Sequence, residues 1–286
     1  METHTWSQTQ TQRLKELGAD ESALSQPYAT AADRNLAFQK LEKQLVKSAR
    51  SDLARFLTRE GKPRFEQLRT ALCDMLIAEG FAQVTTPTII NRAALAKMTI
   101  TPDHPLSKQL FWLNDKQCLR PMLATNLYSL MVDFGRQKHR PIRFFEIGSC
   151  FRKETDGARH NNEFTMLNLV EMGSTDPDPS PADLLDRLKD LAHKMANAAG
   201  ITEYEFETEE SDVYGSTLDL VCSRTGTELA SGATGPHPLD AAWGVTDPWV
   251  GMGFGVERLL MSARGDTTIG KWARSLAYQD GIRLNI

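Results

Sequence analysis

Apolar residues return every three or four positions at Phe38, Leu41, Leu45, Ala49, Leu53 and Phe56, which predicts one long amphipathic helix running up to Gly61-Lys62-Pro63. A shorter helix is expected over residues 7 to 17, closed by Gly18, and another over 65 to 79, closed by Gly80. The stretch from Phe81 to Thr86 is β-rich and ends in Pro87, which cannot donate to a ladder and so suits an edge or an interface. Residues 109 to 112 and 117 to 119 read as a hairpin across Asn114-Asp115. A helix over 121 to 134 sets Ala124, Leu127, Tyr128 and Met131 on one face. Strands are expected at 142 to 153 and 164 to 172 around a polar loop, followed by a linker rich in Asp and Pro at 174 to 179. Ser180, Pro181 and Asp183 supply cap, first-turn proline and first-turn acid for a helix ended by Gly200. Strands fill much of the remainder, and a helix after Gly255 closes the chain. Strands from distant segments amid helices predict an α+β fold, its sheet largely antiparallel and flanked by helices. The domain division expected is an N-terminal helical extension over 1–62 and a main domain over 63–286.

Composition narrows the class. The 286 residues are 41% hydrophobic, enough for a substantial core, yet no apolar run approaches the about eighteen residues that a membrane helix needs. The N-terminus lacks the charged-then-apolar pattern of a secretory signal, so a cytoplasmic protein without membrane contact is expected. Cys73, Cys118, Cys150 and Cys222 form no C-x-x-C pair and read as four buried free thiols. The formal net charge of −4 is unevenly spread, because eight basic residues from Lys40 to Arg64 face only Glu42, Asp52 and Glu60. A basic arm on an otherwise acidic protein suits a phosphate backbone, although such a run also serves as a solvated helix face.

Three segments carry chemistry. In Trp249 to Leu260, glycines at 251, 253 and 255 remove three side chains from one strand face, so a flat ligand can lie against the backbone. The following helix begins near Glu257 with Arg258 in its first turn, an arrangement suited to phosphate. In the second segment Arg152 ends a strand at a loop mouth, where its guanidinium can hold a phosphate or pair with Glu154. The third, Gly80 to Pro87, is by itself an ordinary helix-to-strand junction.

In this order the three segments resemble the three motifs of the class II aminoacyl-tRNA synthetases. The longer likeness is to the pyrrolysyl-tRNA synthetases. It rests on Leu95-Ala96-Lys97-Met98-Thr99-Ile100, Leu119-Arg120-Pro121-Met122-Leu123-Ala124, Glu163-Phe164-Thr165-Met166-Leu167-Asn168, Asp212-Val213-Tyr214-Gly215 and the Trp249 to Leu260 run. The resemblance implies activation of pyrrolysine with ATP and magnesium and its transfer to a cognate tRNA by a homodimer. It also implies a form without the family's separate N-terminal tRNA-binding domain, which a second protein can supply.

For the ATP site, the resemblance implies Arg152 on the α-phosphate, Arg258 on the γ-phosphate, Phe164 under the adenine, and Glu154, His160, Asn161, Leu229 and Gly253 nearby. Glu228 and Ser231 would hold magnesium, as hard oxygen donors do. It assigns the amino-acid pocket to Ala124, Leu127, Tyr128, Met131, Asn168, Val170, Ala233, Trp249 and Gly251, with Tyr214 as a mobile lid. Asn168 alternates onto the apolar face of Phe164, Met166 and Val170, where its amide must satisfy a neighbour or read a ligand. Lys40, Lys43, Lys47 and Arg50 are the expected tRNA contacts. Thr125, the run His160-Asn161-Asn162-Glu163 and the run Ala230 to Ala233 depart from the family's usual residues. Rival readings are a synthetase for phenylalanine or phosphoserine, and a paralogue that binds without charging tRNA.

Overall fold

The computed structural model describes residues 3–58, 61–154, 161–173, 179–266, 268–284 and 286. His160, Arg59 and Glu60 of the basic run, most of the linker at 174 to 179, and Asn285 lie outside them. In chain order the elements begin with helices α1 (Gln8–Glu16), α2 (Glu21–Leu24), α3 (Ala31–Thr58) and α4 (Arg64–Ala78). Strands β1 (Ala82–Gln83) and β2 (Ile89–Asn91), helix α5 (Arg92–Lys97), a 3-10 turn (Pro105–Gln109), β3 (Gln117–Leu119) and α6 (Ala124–Gly135) follow. The central run is β4 (Ile142–Phe151), β5 (Glu163–Met172), α7 (Pro181–Ala198), β6 (Tyr204–Ser211), β7 (Gly215–Cys222) and β8 (Thr227–Gly235). The chain then forms α8 (Asp240–Trp243), β9 (Trp249–Gly255), α9 (Val256–Ala263), β10 (Tyr278–Gln279) and β11 (Ile282–Arg283).

Two compact units result, Met1–Pro63 with Ser275–Ile286, and Arg64–Arg274. In the first, Trp6, Leu14, Leu17 and Ala49 are buried, and the Trp6 indole donates to the Ala23 carbonyl at 2.8 Å. The chain does not close with a helix as its pattern predicts. A hairpin follows α9 instead, turned by Asp280 and Gly281, both at positive φ (52° and 81°), the requirement of a two-residue primed turn. This hairpin belongs to the first unit, where Arg283 pairs with Glu16 at 3.3 Å.

The second unit is built on a seven-stranded sheet of order β1-β4-β5-β9-β8-β7-β6. Every pairing is antiparallel except β1 with β4, so the expected α+β architecture holds. One face packs on α4, α7 and α9 through residues such as Leu72, Leu188, Leu191 and Leu259. The other face packs on a second apolar cluster that includes Leu127, Tyr128, Met131 and Trp243. The expected hairpin across Asn114-Asp115 is reduced to one bridge, Trp112 to Cys118. Pro105 begins a 3-10 turn that reaches Gln109, and β3 pairs instead with β2. Cys118, Cys150 and Cys222 are buried thiols, whereas Cys73 is only half-buried.

A buried ion pair ties β4 to the residue that follows β3. Arg120 and Glu146 meet at 2.7 Å with side chains 4% and 2% exposed. Glu146 also accepts from the Thr86 hydroxyl at 2.6 Å, and Arg120 donates from Nε to the Ser149 carbonyl at 2.8 Å. The pair is therefore part of a satisfied network, and removing one partner leaves a charge in the interior. Glu146→Ala should lower stability by about 3–5 kcal/mol. Urea denaturation followed by tryptophan fluorescence checks this, and an unchanged midpoint would show that the network contributes little.

Candidate active site

The central strands β5, β9 and β8 lie side by side, and their register builds the floor of a cavity of about 460 Å³. Asn168 stands opposite Gly253, which stands opposite Ser231. Two residues along, Val170, Gly251 and Ala233 form a second row of the same kind. Beyond Trp249 the middle strand carries no side chains on this face, so the floor is open above Gly251, Gly253 and Gly255. At Gly253 a Cβ would stand 2.9 Å from Asn168 Nδ2 and 3.0 Å from the terminal carbon of Met166.

Alternation alone would place Glu228 and Ser231 on opposite faces of β8, since they are three residues apart. A β-bulge prevents this. Leu220 pairs with Ala230 and Val221 with Glu228, so Leu229 is the extra residue and both Glu228 and Ser231 line the cavity. The side chain of Leu229, placed near ATP by the resemblance, is 1% exposed in the helix-side core.

The polar end of the cavity holds Arg152, Glu154, Asn161, Phe164, Glu228, Ser231 and Arg258. Arg152 donates from Nε to the Pro121 carbonyl at 2.9 Å and stands 5.4 Å from the centre of the Phe164 ring. Burial pulls its guanidinium below the ordinary value, with nearby Cys150 and Glu154 acting the other way. A desolvated cation on a cavity wall favours an anionic ligand. Arg258 projects from the first turn of α9 and meets Glu228 Oε1 at 3.3 Å. Glu228 is half exposed, so this pair is easily exchanged for another partner. Behind Arg258, Glu257 is buried and accepts the Thr165 N–H at 2.9 Å on both oxygens; burial raises its pKa.

The apolar end is formed by Ala124, Leu127, Tyr128 and Met131 of α6 with Val170, Ala233 and Trp249. The Tyr128 ring stacks on Trp243 at 5.6 Å and meets Trp249 edge-on at 5.8 Å. Asn168 supplies the amide: its Oδ1 is buried without a hydrogen-bond partner. Tyr214 closes one side. The structure thus gathers into one cavity all the residues that the resemblance assigns to the ATP site and the pocket, apart from Leu229 and the undescribed His160. Lys40, Lys43, Lys47 and Arg50 are exposed on α3 in the other unit.

Two acidic residues escaped the sequence reading. Asp240 is buried and accepts from the Tyr128 hydroxyl at 3.2 Å and the Trp249 indole at 3.1 Å, so it fixes two pocket walls. Asp219 pairs across the ladder with Ser231, and its buried Oδ1 has no hydrogen-bond partner. Neither has a local signal, because each gains its role from strands or helices far away in sequence. Among the described residues no three His, Cys, Asp or Glu side chains form a metal cluster by themselves. The oxygen donors of Glu228 and Ser231 nevertheless fit magnesium, which takes few protein ligands and fills its shell with phosphate and water. The unpartnered Asp219 oxygen beside Ser231 strengthens the fit.

Residues 53–275 match the core domain family of class II tRNA synthetases (F). The crystal structure of pyrrolysyl-tRNA synthetase from Desulfitobacterium hafniense superposes with a TM-score of 0.89, at 50% identity over 99% of both chains. The chain belongs to the class II aminoacyl-tRNA synthetases, and within them to the pyrrolysyl-tRNA synthetases. More distant relatives are the phenylalanine–tRNA ligase alpha subunit of Mycoplasmoides gallisepticum, 25% identical over 66% of this chain and 60% of its own, and the O-phosphoserine–tRNA(Cys) ligase of Methanoculleus marisnigri, 27% identical over 56% and 30%. The chain thus spans less than two-thirds of these curated relatives.

Because Asn168 and Gly253 share one row of this synthetase fold, Gly253→Ala should displace the amide. The amino-acid KM in pyrophosphate exchange should rise by about tenfold, the loss of ~1.4 kcal/mol of recognition. Thermal melting checks that the fold is kept, and an unchanged KM would show that the amide position does not matter.

Proposed function

We propose that this chain activates pyrrolysine, or a closely similar Nε-acylated lysine, with ATP and transfers it to the 3′ end of its cognate tRNA. The observation that carries the substrate is the unpartnered Asn168 oxygen in an otherwise apolar pocket, which suits a long aliphatic side chain bearing one amide. A phenylalanine ring would leave that group unsatisfied.

In the first step a carboxylate oxygen of the amino acid attacks the α-phosphorus and pyrophosphate leaves. Arg152 would neutralise charge on the α-phosphate, and Arg258, released from Glu228, would hold the γ-phosphate. Phe164 offers a flat surface for the adenine. Glu228 and Ser231 would hold magnesium, with Asp219 behind them; the ion, when bound, draws charge from the phosphates. In the second step a ribose hydroxyl of the terminal adenosine attacks the carbonyl carbon and AMP leaves. No side-chain nucleophile is required, and burial pushes the nearby Cys150 thiol up to about 12, which keeps it protonated.

We place the tRNA body against the exposed bases of α3, and we read the enzyme as a cytoplasmic homodimer that a separate tRNA-binding protein can assist. No described helix is long and apolar enough to cross a membrane.

Exchange of pyrophosphate into ATP, measured with pyrrolysine, Nε-acylated lysines, lysine, phenylalanine and phosphoserine, tests the substrate. The first two groups should exceed phenylalanine by at least about a hundredfold in kcat/KM. Equal use of phenylalanine would overturn the assignment, and no exchange with any of them would favour a binding paralogue. For the tRNA contact, Lys40, Lys43, Lys47 and Arg50 changed together to Gln should leave exchange intact. Aminoacylation should fall, with a shallower dependence on salt as phosphate contacts are lost. An unchanged salt slope would assign these charges to solvation alone.

A further inference from the structure

The tripeptide His-Pro-Leu occurs twice, at His104-Pro105-Leu106 and at His237-Pro238-Leu239, 133 positions apart. The two copies make the same bonds. His104 Nδ1 accepts from the Leu106 N–H at 3.1 Å, and its Nε2 lies 3.3 Å from the Asp212 carbonyl oxygen. His237 Nδ1 accepts from the Leu239 N–H at 3.1 Å, and its Nε2 lies 2.8 Å from the Tyr214 carbonyl oxygen. In each ring the accepting Nδ1 fixes the proton on Nε2, which donates to the carbonyl. Both carbonyls belong to the short turn between β6 and β7 that carries Tyr214 to the cavity.

We propose that His104 and His237 are positioning residues that clasp this turn from two sides and hold Tyr214 over the amino-acid pocket before substrate arrives. This deepens the proposed function and rests on it for the identity of the substrate. Several observations support the clasp. The Tyr214 ring packs edge-on against His237 at 5.4 Å between centres. The backbone N–H of His237 donates to Asp240 Oδ2 at 2.7 Å, so the second histidine is anchored on the carboxylate that also fixes Tyr128 and Trp249. His104 and Leu106 themselves line the cavity, as do Asp212 and Val213. Within the turn, the N–H groups of Val213 and Tyr214 bond only locally, to Ser211 Oγ at 3.3 and 3.2 Å. Such a turn, held by few bonds of its own, depends on outside contacts for its position. Pre-ordering it lowers the conformational cost of enclosing a long, flexible lysine side chain.

Hydrogen exchange on the free full-length enzyme reads the clasp without any substrate. In the double variant His104→Phe with His237→Phe, ring volume and packing are kept while every imidazole hydrogen bond is lost. The amides of Val213 and Tyr214 should exchange at least about fivefold faster, with the core strands β5 and β9 unchanged. Pyrophosphate exchange should show an amino-acid KM raised by about fivefold while the KM for ATP stays within about twofold. His193→Phe, at a surface histidine outside the cavity, serves as the control and should change neither. Unchanged protection of the turn in the double variant, or equal rises in both KM values, would overturn the proposal. A clasp that protects the turn in an enzyme unable to use any Nε-acylated lysine would instead overturn the substrate assignment alone.

Discussion

The register of β5, β9 and β8 is the constraint on which the site depends. Because the ladder sets Asn168, Gly253 and Ser231 in one row, an unpartnered amide and a metal-suited oxygen stand on either side of bare backbone. A slip of one residue in β9 would replace Gly253 with Met252 or Phe254 and fill the cavity floor, because side chains alternate between faces. The burial of Val250, Met252 and Phe254 on the helix side opposes that slip. Apolar packing on one face thus secures the emptiness of the other.

Electrostatics then divides the cavity. Arg152 is partly buried and backed by the Phe164 ring, so its charge is screened less than in open water. Arg258 and Glu228 are more open to water and hold each other loosely. The contrast suits a site in which one cation meets charge developing at the reacting centre and the other grips a group that departs. Asp240 is the counterpart at the apolar end. Its carboxylate takes donors from a tyrosine, an indole and a backbone amide, and so fixes the aromatic walls.

Much of this was legible in the sequence because its signals are local. The alternating glycines of Gly251, Gly253 and Gly255, the capped start of α7 and the helical stripe of α6 each occupy one short stretch of chain. The lone amide of Asn168 was visible for the same reason. The bulge at Leu229 was not, because it exists only as a mismatch between two strands. Asp240 and Asp219 left no local signal, because only distant elements bury them. The closing hairpin did leave a trace in Asp280-Gly281, a pair suited to a two-residue turn.

The sheet has a separate apolar cluster on each face. Leu188, Leu191 and Leu259 pack on the helix side, while Leu127, Tyr128, Met131, Val170 and Ala233 pack on the side of the cavity. The cavity lining and the helix-side packing therefore occupy opposite surfaces of the same strands. A change confined to the cavity face leaves Val250, Met252 and Phe254 packed on the helix side, so the register of the strands beneath the cavity outlasts a change in the cavity's shape.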